Sequence, residues 1–221
     1  EGDAADVYAR AVEGGSGDRE DAFPGYAGGE FQYTPAVAAN AADGEYLVVW
    51  QEGDGGDIYG RRTLTEDTTG EALAITTAEE AQQAPAVAYD PEQSTYLVVW
   101  AHDNGSDDDI CGRVVGADGG LEGSEITITA VAAEEQYPAV AANGAGGYVV
   151  AWQEGSSNAD IAAAVVDRDG QVLGSGAETL SEAGNTQERP ALSYDSDRGR
   201  YLVVWADHRN SPTGADVYGQ I

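Results

Sequence analysis

The sequence predicts an all-β fold, a β-propeller of four-stranded blades, and three observations lead to this prediction. A motif Pro-Ala-Val-Ala or Pro-Ala-Leu-Ser begins at Pro35, Pro85, Pro138 and Pro190. An apolar strand ending in Trp follows each motif, and the intervals between successive Trp residues are 50, 52 and 53 residues. No segment carries a sustained apolar period of about 3.6 residues, so almost no helix is expected. Regular units of this length made of short strands are typical of propeller blades.

Each unit contains four predicted strands, labelled A to D. Strand A is the Pro-Ala-Val-Ala segment, and strand B, for example Tyr46 to Trp50, is apolar on both faces. Such a strand is typical of a sheet with other layers packed on both sides. Strand C opens with Asp, as at Asp57, and strand D is a weaker strand such as Leu73 to Thr76. The repeat units are residues 35–84, 85–137, 138–189, and 190–221 together with 1–34. A single domain over residues 1–221 is therefore predicted.

The two ends of the chain each carry a strand C in an incomplete unit. Asp6 to Arg10 reads as a strand C with no A or B before it, and Asp216 to Ile221 as a strand C with no D after it. A chain that enters a ring in mid-blade can close it by pairing its N- and C-terminal strands. We expect four blades closed in this way. One strand C is then left over, so a displaced strand or a ring with a fifth, partial blade is the alternative.

The segment Tyr201 to Gln220 contains Tyr-Leu-Val-Val-Trp followed by Asp-Val-Tyr-Gly-Gln. This pattern resembles the repeats of secreted prokaryotic propellers related to the sialidase-type families, and the resemblance covers all four units. It implies the propeller fold, but such propellers serve as adhesins, lectins, scaffolds and glycosidases alike. The Asp-box of sialidases, Ser-x-Asp-x-Gly-x-Thr-Trp, is absent.

The composition is strongly acidic, with 40 Asp and Glu residues against 10 basic residues, all of them Arg, and a net charge of -30. At molar salt the Debye length falls to about 3 Å, so such a surface stays soluble without strong self-repulsion. The composition resembles that of haloarchaeal proteins, and we expect an extracellular or cell-surface protein in a high-salt environment. Nucleic acid and anionic membranes are disfavoured as partners because both require a basic face. No apolar run is long enough for membrane insertion.

Acidic residues concentrate in the loops between strands B and C. An acid two residues after Trp recurs together with the Asp that opens strand C, as in Glu52 with Asp57 and Glu154 with Asp160. Oxygen-rich loops could hold Ca²⁺, which takes about six to eight oxygen ligands. The candidate metal ligands are Asp54, Asp57, Asp103, Asp107 and Asp109. The favoured alternative is that Asp57 and its equivalents, which open strand C, cap the B–C turn by accepting backbone hydrogen bonds.

Arginine and histidine also recur at fixed places in the repeat. Arg10, Arg61 and Arg113 each lie four residues after the strand-C Asp. We expect them to pair with carboxylates of a neighbouring strand or blade, because a ligand site would require them to converge. His102 and His208 lie in the B–C loops of different units. Solvated loop histidines are therefore favoured over metal ligands or proton donors.

Two segments break the repeat, residues 14–31 and residues 209–215. Irregular insertions on a regular scaffold often carry binding sites. The candidate ligand-binding residues are Phe23, Tyr26, Phe31 and Arg209. Aromatic residues in these segments could equally pack over the closure of the ring, and the sequence leaves both interpretations open.

No catalytic residue is assigned, because an active site would require one blade to supply residues that the others lack. The first hypothesis is a non-catalytic module that contacts a glycan or a surface protein. The second is a propeller-type glycoside hydrolase or lyase, with two carboxylates about 5 to 9 Å apart at the mouth of the channel. The third is a subunit of a surface or virion assembly, in which an unpaired strand C mediates self-association by strand addition. No cofactor other than Ca²⁺ is indicated.

Overall fold

The computed structural model of the protein describes residues 6–10, 23–26, 30–64, 71–210 and 214–221. Every regular element in these ranges is a β-strand. In chain order the strands are β1 (Val7–Ala9), β2 (Phe23–Tyr26), β3 (Gln32–Asn40), β4 (Glu45–Glu52), β5 (Asp57–Leu64), β6 (Leu73–Thr76), β7 (Gln82–Asp90), β8 (Thr95–Asp103), β9 (Asp108–Gly116), β10 (Leu121–Thr129), β11 (Glu135–Ala142), β12 (Gly147–Glu154), β13 (Asp160–Asp167), β14 (Glu178–Ser181), β15 (Gln187–Asp195), β16 (Arg200–Asp207) and β17 (Asp216–Gln220). Within the same ranges no helix has the length and apolarity of a membrane span.

Four antiparallel sheets follow one another along the chain as propeller blades. The first three blades are β3–β6, β7–β10 and β11–β14, and the fourth is the three-stranded sheet β15–β17. In every blade, strands that are consecutive in sequence are neighbours in the sheet. The strands A of successive blades, β3, β7, β11 and β15, contact one another and form the innermost layer. The predicted all-β propeller with four blades is therefore confirmed.

Strand B has two apolar faces because consecutive side chains of a strand point to opposite sides. In the first blade Tyr46 and Trp50 lie on one side, which we call the Trp face of a blade, and Leu47 and Val49 lie on the other, the Leu face. The Leu face of the first blade packs on the Trp face of the second, around the fully buried Trp100. The second and third blades, and the third and fourth, pack in the same way. The core is thus a series of contacts between blades, as the doubly apolar strand B predicts.

The N-terminal strands form a sheet of their own. β1 pairs with β2, and Val7 packs against Val48 and Trp50 on the Trp face of the first blade. β17 is an edge strand of the fourth blade, and among the described residues no strand of the first blade is in extensive contact with a strand of the fourth. The structure therefore corrects the predicted closure by pairing of N- and C-terminal strands. The N-terminal strand C already has its hydrogen-bonding partner in β2, which takes the place of a strand D.

Arginines connect neighbouring strands and blades. The Arg113 guanidinium lies 3.8 Å from Glu125 on the adjacent strand β10. It also donates a hydrogen bond of 3.4 Å to the Ile75 carbonyl of the preceding blade. Arg62 donates at 2.8 Å to the Asp118 carbonyl in the second blade. The structural role predicted for Arg113 is confirmed, and Arg62, which has no counterpart in the other units, has a similar role.

Candidate functional site

The innermost strands all begin at the same end of the propeller, which we call the entry end. Strand A runs away from this end and strand B returns to it, so the B–C loops lie there as well. The entry end consists of Gln32, Gln82, Glu135 and Gln187, the first residues of the A strands, and of residues 53–56, 104–107, 155–159, 208–210 and 214–215 in the B–C loops. Backbone bonds join the two sets: Gln82 N donates to Gly56 O at 2.6 Å, and Gln187 N to Ala159 O at 2.7 Å.

A β-bulge interrupts each A strand close to the entry end, and each blade shows the corresponding shift of register. The residue before the repeated Pro has a positive φ in every blade: Thr34 (47°), Ala84 (50°), Tyr137 (53°) and Arg189 (53°). A non-glycine residue in this conformation costs about 1 to 2 kcal/mol, so its recurrence indicates that the fold imposes it. Bulges redirect side chains, and here the backbone is constant while the side chain changes from blade to blade.

The first residue of every A strand has a buried polar side chain. This residue is Gln in the first, second and fourth blades and Glu135 in the third. Gln187 Nε2 donates to the carbonyl oxygens of Ala183 at 2.9 Å and Asn185 at 2.5 Å. Gln82 donates in the same way to the loop that precedes it. A carboxylate has no proton to donate in such a bond. Ionised Glu135 therefore cannot make the contacts that Gln82 and Gln187 make.

In the first and fourth blades the acid two residues after the strand-B Trp accepts the indole N–H. Trp50 Nε1 donates to Glu52 Oε2 at 3.2 Å, and Trp205 Nε1 donates to Asp207 Oδ2 at 2.9 Å. Residues i and i+2 lie on the same side of a strand, and a buried N–H requires an acceptor. This contact explains the Trp-x-acid spacing in these two blades. In the third blade Trp152 Nε1 has no such partner among the described residues, although Glu154 stands at the same spacing.

The predicted acid pairs face each other across strands B and C. Glu52 lies opposite Asp57, and Glu154 lies opposite Asp160. Burial raises the pKa of all four carboxyl groups, and the neighbouring Asp160 raises the pKa of Glu154 further. These pairs hold protons more readily than ordinary surface acids.

The five predicted calcium ligands belong to two blades. Asp54 and Asp57 lie in the first blade, and Asp103, Asp107 and Asp109 lie in the second. Asp103 Oδ1 accepts the N–H of Gly105 at 2.7 Å and so caps the turn that follows it. Asp54 accepts the Tyr33 hydroxyl at 3.1 Å. In the described part of the chain, no three acidic, His or Cys side chains are grouped as a metal site requires.

A polar cavity of about 420 Å³ lies between the third and fourth blades at the entry end. We call it the blade 3–4 pocket; its lining residues are Asn158, Asn185, Thr186, Glu188 and His208. His208 Nε2 lies 3.0 Å from Glu188 Oε1, and Asn158 Oδ1 accepts the Asn185 N–H at 2.6 Å. His102 instead lies 3.5 Å from Gln82 in the second blade. His208 therefore lines the blade 3–4 pocket.

Two bulge residues lie at the same junction of blades. The Arg189 guanidinium carbon lies 4.4 Å from the centre of the Tyr137 ring, a cation–π contact between the fourth and third blades. Arg189 is exposed and follows Glu188 directly. Tyr137, Glu188 and Arg189 are not among the site residues predicted from the sequence. A signal was present, because the residue before the repeated Pro changes from Thr and Ala to Tyr and Arg in the third and fourth units.

Two of the predicted ligand-binding residues make contacts that can be described. Phe31 is 43% exposed and stacks on Tyr33, with ring centroids 6.1 Å apart. Arg209 Nε donates to Asp207 Oδ1 at 2.9 Å, and its guanidinium lies 4.0 Å from the centre of the Tyr218 ring. These hydrogen bonds lower the pKa of Asp207 to about 2. Phe31 thus offers an aromatic surface. Arg209 is engaged with Asp207 and Tyr218 of its own blade, and it also donates to Ser181 Oγ of the third blade at 3.3 Å.

The other two predicted binding residues belong to strand β2. Phe23 and Tyr26 are the first and last residues of β2. Residues 14–22 and 27–29 of the first irregular segment, and residues 211–213 of the second, lie outside the described residues. The prediction that these segments bind a ligand therefore stays a prediction.

The chain is similar to known proteins in fold but not in sequence. No family model and no curated protein matches the sequence. A solved thermostable family-43 glycoside hydrolase is similar in structure, with 9% identity and a TM-score of 0.56 over 86% of this chain and 69% of that chain. An endo-1,4-β-xylanase from Bacteroides thetaiotaomicron gives 10% identity and a TM-score of 0.56 over 85% and 70%. A Hadza microbial sialidase has 12% sequence identity and a TM-score of 0.59, over 86% of this chain and 44% of that chain. These likenesses support the propeller fold.

Proposed function

We propose that this protein is a non-catalytic module that binds carbohydrate in the blade 3–4 pocket. The observation that carries the proposal is a cavity of about 420 Å³ lined by two Asn, a Thr, a Glu and a His. Sugar hydroxyls donate and accept hydrogen bonds, and these side chains offer donors and acceptors of both kinds. The volume lies within the range of small-molecule sites. The pocket therefore suits a sugar unit of a longer glycan.

Aromatic side chains at the entry end support the same ligand class. Tyr137 lies at the junction of blades that holds the pocket, with Arg189 against its ring. Phe31 and Tyr33 form a stacked and partly exposed pair on the first blade. An aromatic ring offers an apolar face that can pack on the C–H face of a sugar ring. Several contacts at one end of the propeller would favour an extended polysaccharide over a single sugar.

The lining of the pocket favours binding over cleavage. A glycosidase of the usual kind needs two carboxyl groups about 5 to 9 Å apart, one of them a proton donor. Among the described lining residues Glu188 is the one carboxylate, and His208 lies against it at 3.0 Å. A single, paired carboxylate can orient a hydroxyl group but lacks the second group for the reaction.

The binding proposal is tested by calorimetric titration of neutral and acidic polysaccharides in about 3 M salt. We expect saturable binding to the unaltered protein, and at least a tenfold weaker affinity for His208→Ala. The substitution removes one wall of the pocket and leaves the Glu188 carboxylate without its partner. His102→Ala is the matched control, since it removes the histidine of the second blade, and its affinity should not change. Equal losses for both variants, or no binding to any polysaccharide, would refute the proposal.

A second candidate function is glycoside hydrolysis, which one further observation favours. Glu154 and Asp160 flank the loop that contains Asn158, and burial raises the pKa of both, as a general acid requires. The solved structures of similar fold named above are glycoside hydrolases and a sialidase. If this function holds, reducing ends will accumulate with a polysaccharide substrate, and Glu154→Gln will abolish their release. Binding without product formation would exclude it.

We also propose that the protein works outside the cell in concentrated salt, in a halophilic archaeon. The net charge of -30 supports this habitat, because salt screens repulsion between the carboxylates. The thermal midpoint should rise with KCl concentration, and the β-sheet signal in circular dichroism should be lost on dialysis to about 50 mM salt. An unchanged spectrum at low salt would contradict the proposed habitat.

A further inference from the structure

The Leu face of the fourth blade is an uncovered apolar surface. Leu202 is 46% exposed and Val217 is 81% exposed, and Val204 between them is half-buried. These side chains project from β16 and β17, which pair with each other in register. They form a continuous apolar surface on a protein whose remaining surface is highly acidic. Apolar patches of this kind mark sites of association.

The other blades show what covers such a face. The residues equivalent to Leu202 and Val217 are Leu47 and Ile58 in the first blade and Leu97 and Ile110 in the second, and all four are at most 1% exposed. In each case the Trp face of the next blade covers them. Leu97, for example, belongs to the same buried cluster as Tyr148 of the third blade. The surface that complements the Leu face of the fourth blade is therefore the Trp face of another blade.

The opposite end of the row of blades offers such a face. On the first blade Val37 is 60% exposed and Tyr46 is 37% exposed, whereas the equivalent Tyr96 and Tyr148 are fully buried. β1 covers only part of this face, through Val7. Val37 and Tyr46 therefore leave part of the Trp face of the first blade exposed. The fourth blade thus has an exposed Leu face and the first blade a partly exposed Trp face, the two kinds of surface that pack together between successive blades.

We propose that two copies of this chain associate head to tail. The Leu face of the fourth blade of one copy covers Val37 and Tyr46 of the other. Molar salt screens the repulsion between acidic copies and strengthens apolar association. Because the two surfaces differ, the contact is heterologous and each copy can accept a further one. This inference does not depend on the proposed carbohydrate site.

The test is sedimentation velocity in about 3 M KCl over a range of protein concentrations. The unaltered chain should associate increasingly with concentration. Val217→Asp on the Leu face and Val37→Asp on the Trp face should each sediment as a monomer, because both place a carboxylate in the contact. Val131→Asp is the matched control: Val131 is 43% exposed, lies outside both faces, and its replacement adds the same charge.

Mixing the two interface variants separates head-to-tail association from other modes. Val217→Asp retains its Trp face and Val37→Asp retains its Leu face, so an equimolar mixture should form a dimer and nothing larger. Circular dichroism of each variant establishes that it is folded. A monomeric unaltered chain at all concentrations, association that survives both substitutions, or a mixture that stays monomeric would overturn the proposal.

Discussion

Replacing Glu135 with Gln is expected to stabilise the protein by about 3 kcal/mol at pH 8 and to have little effect near pH 4.5. Glu135 is fully buried at a position where the other three blades have Gln. Burial raises the pKa of Glu135 from 4.5 to about 7. The nearby Thr129 side chain lowers the pKa of Glu135 in part, although neither carboxyl oxygen accepts a hydrogen bond of normal geometry. The carboxylates of Glu154 and Asp109 raise this pKa further.

The direction of the effect follows from the two pKa values. The folded protein binds the proton more tightly than the unfolded chain, so the stability that Glu135 contributes is complete below pH 4.5 and is lost as the pH rises through about 7. Gln cannot ionise, and it can donate to loop carbonyls as Gln187 does. The variant should therefore show a shallower decline in stability between about pH 5 and pH 8 than the unaltered protein.

Urea unfolding at constant molar KCl, at several pH values, measures this difference. Glu134→Gln is the matched control, because it removes the same charge from the adjacent, partly exposed residue. We expect the control to retain the decline in stability of the unaltered protein. A Glu135→Gln variant whose stability falls with pH as steeply as that of the parent would show that this carboxyl group does not titrate in the folded state.

Replacing Gly56 with Ala is expected to destabilise the fold by about 3 kcal/mol. Gly56 has a φ of 68°, a conformation that costs an L-residue about 1 to 2 kcal/mol. An added Cβ would overlap the Gln82 carbonyl oxygen and lie 3.0 Å from the Gln82 nitrogen. These are backbone atoms of the next blade, so they cannot move aside as a side chain would. The substitution therefore pushes the B–C loop of the first blade away from strand A of the second.

Gly55→Ala provides the comparison in the same loop. A Cβ on Gly55 meets nothing within 4 Å, so this variant should differ from the parent by less than about 1 kcal/mol. Both variants are measured by urea unfolding in the same molar salt. If Gly56→Ala and Gly55→Ala unfold at the same urea concentration, the loop adapts and the contact with Gln82 does not determine stability.

Much of the fold could be predicted because its signals are local. The alternation in Tyr46 to Trp50 indicates a strand buried on both faces, and its recurrence in four units indicates the blades. The pairing of Glu52 with Asp57 also follows, since strands B and C form a hairpin. The acceptor role of Glu52 toward Trp50 could have been inferred from the same spacing but was not.

The candidate site was less predictable because it joins residues that are distant in sequence. Asn158 and Asn185 meet across a blade junction, and so do Tyr137 and Arg189. Each of these residues looks like an ordinary loop or strand residue in its own unit. Their proximity depends on how one blade is rotated relative to the next, which no local pattern encodes.

The sequence by itself determined the strands, their order in each blade and the acidic surface, because alternation, turn residues and charge are properties of short segments. The pairing of the N-terminal strand C with β2 emerges only in three dimensions, as does the lack of extensive contact between first- and fourth-blade strands in the described part of the chain. Tertiary structure also decided that the blade 3–4 pocket forms, and that the fourth Leu face stays exposed. The physical reason is that a strand or an apolar face can be covered by any of several repeated partners. Only packing in three dimensions selects among partners that are nearly alike in sequence.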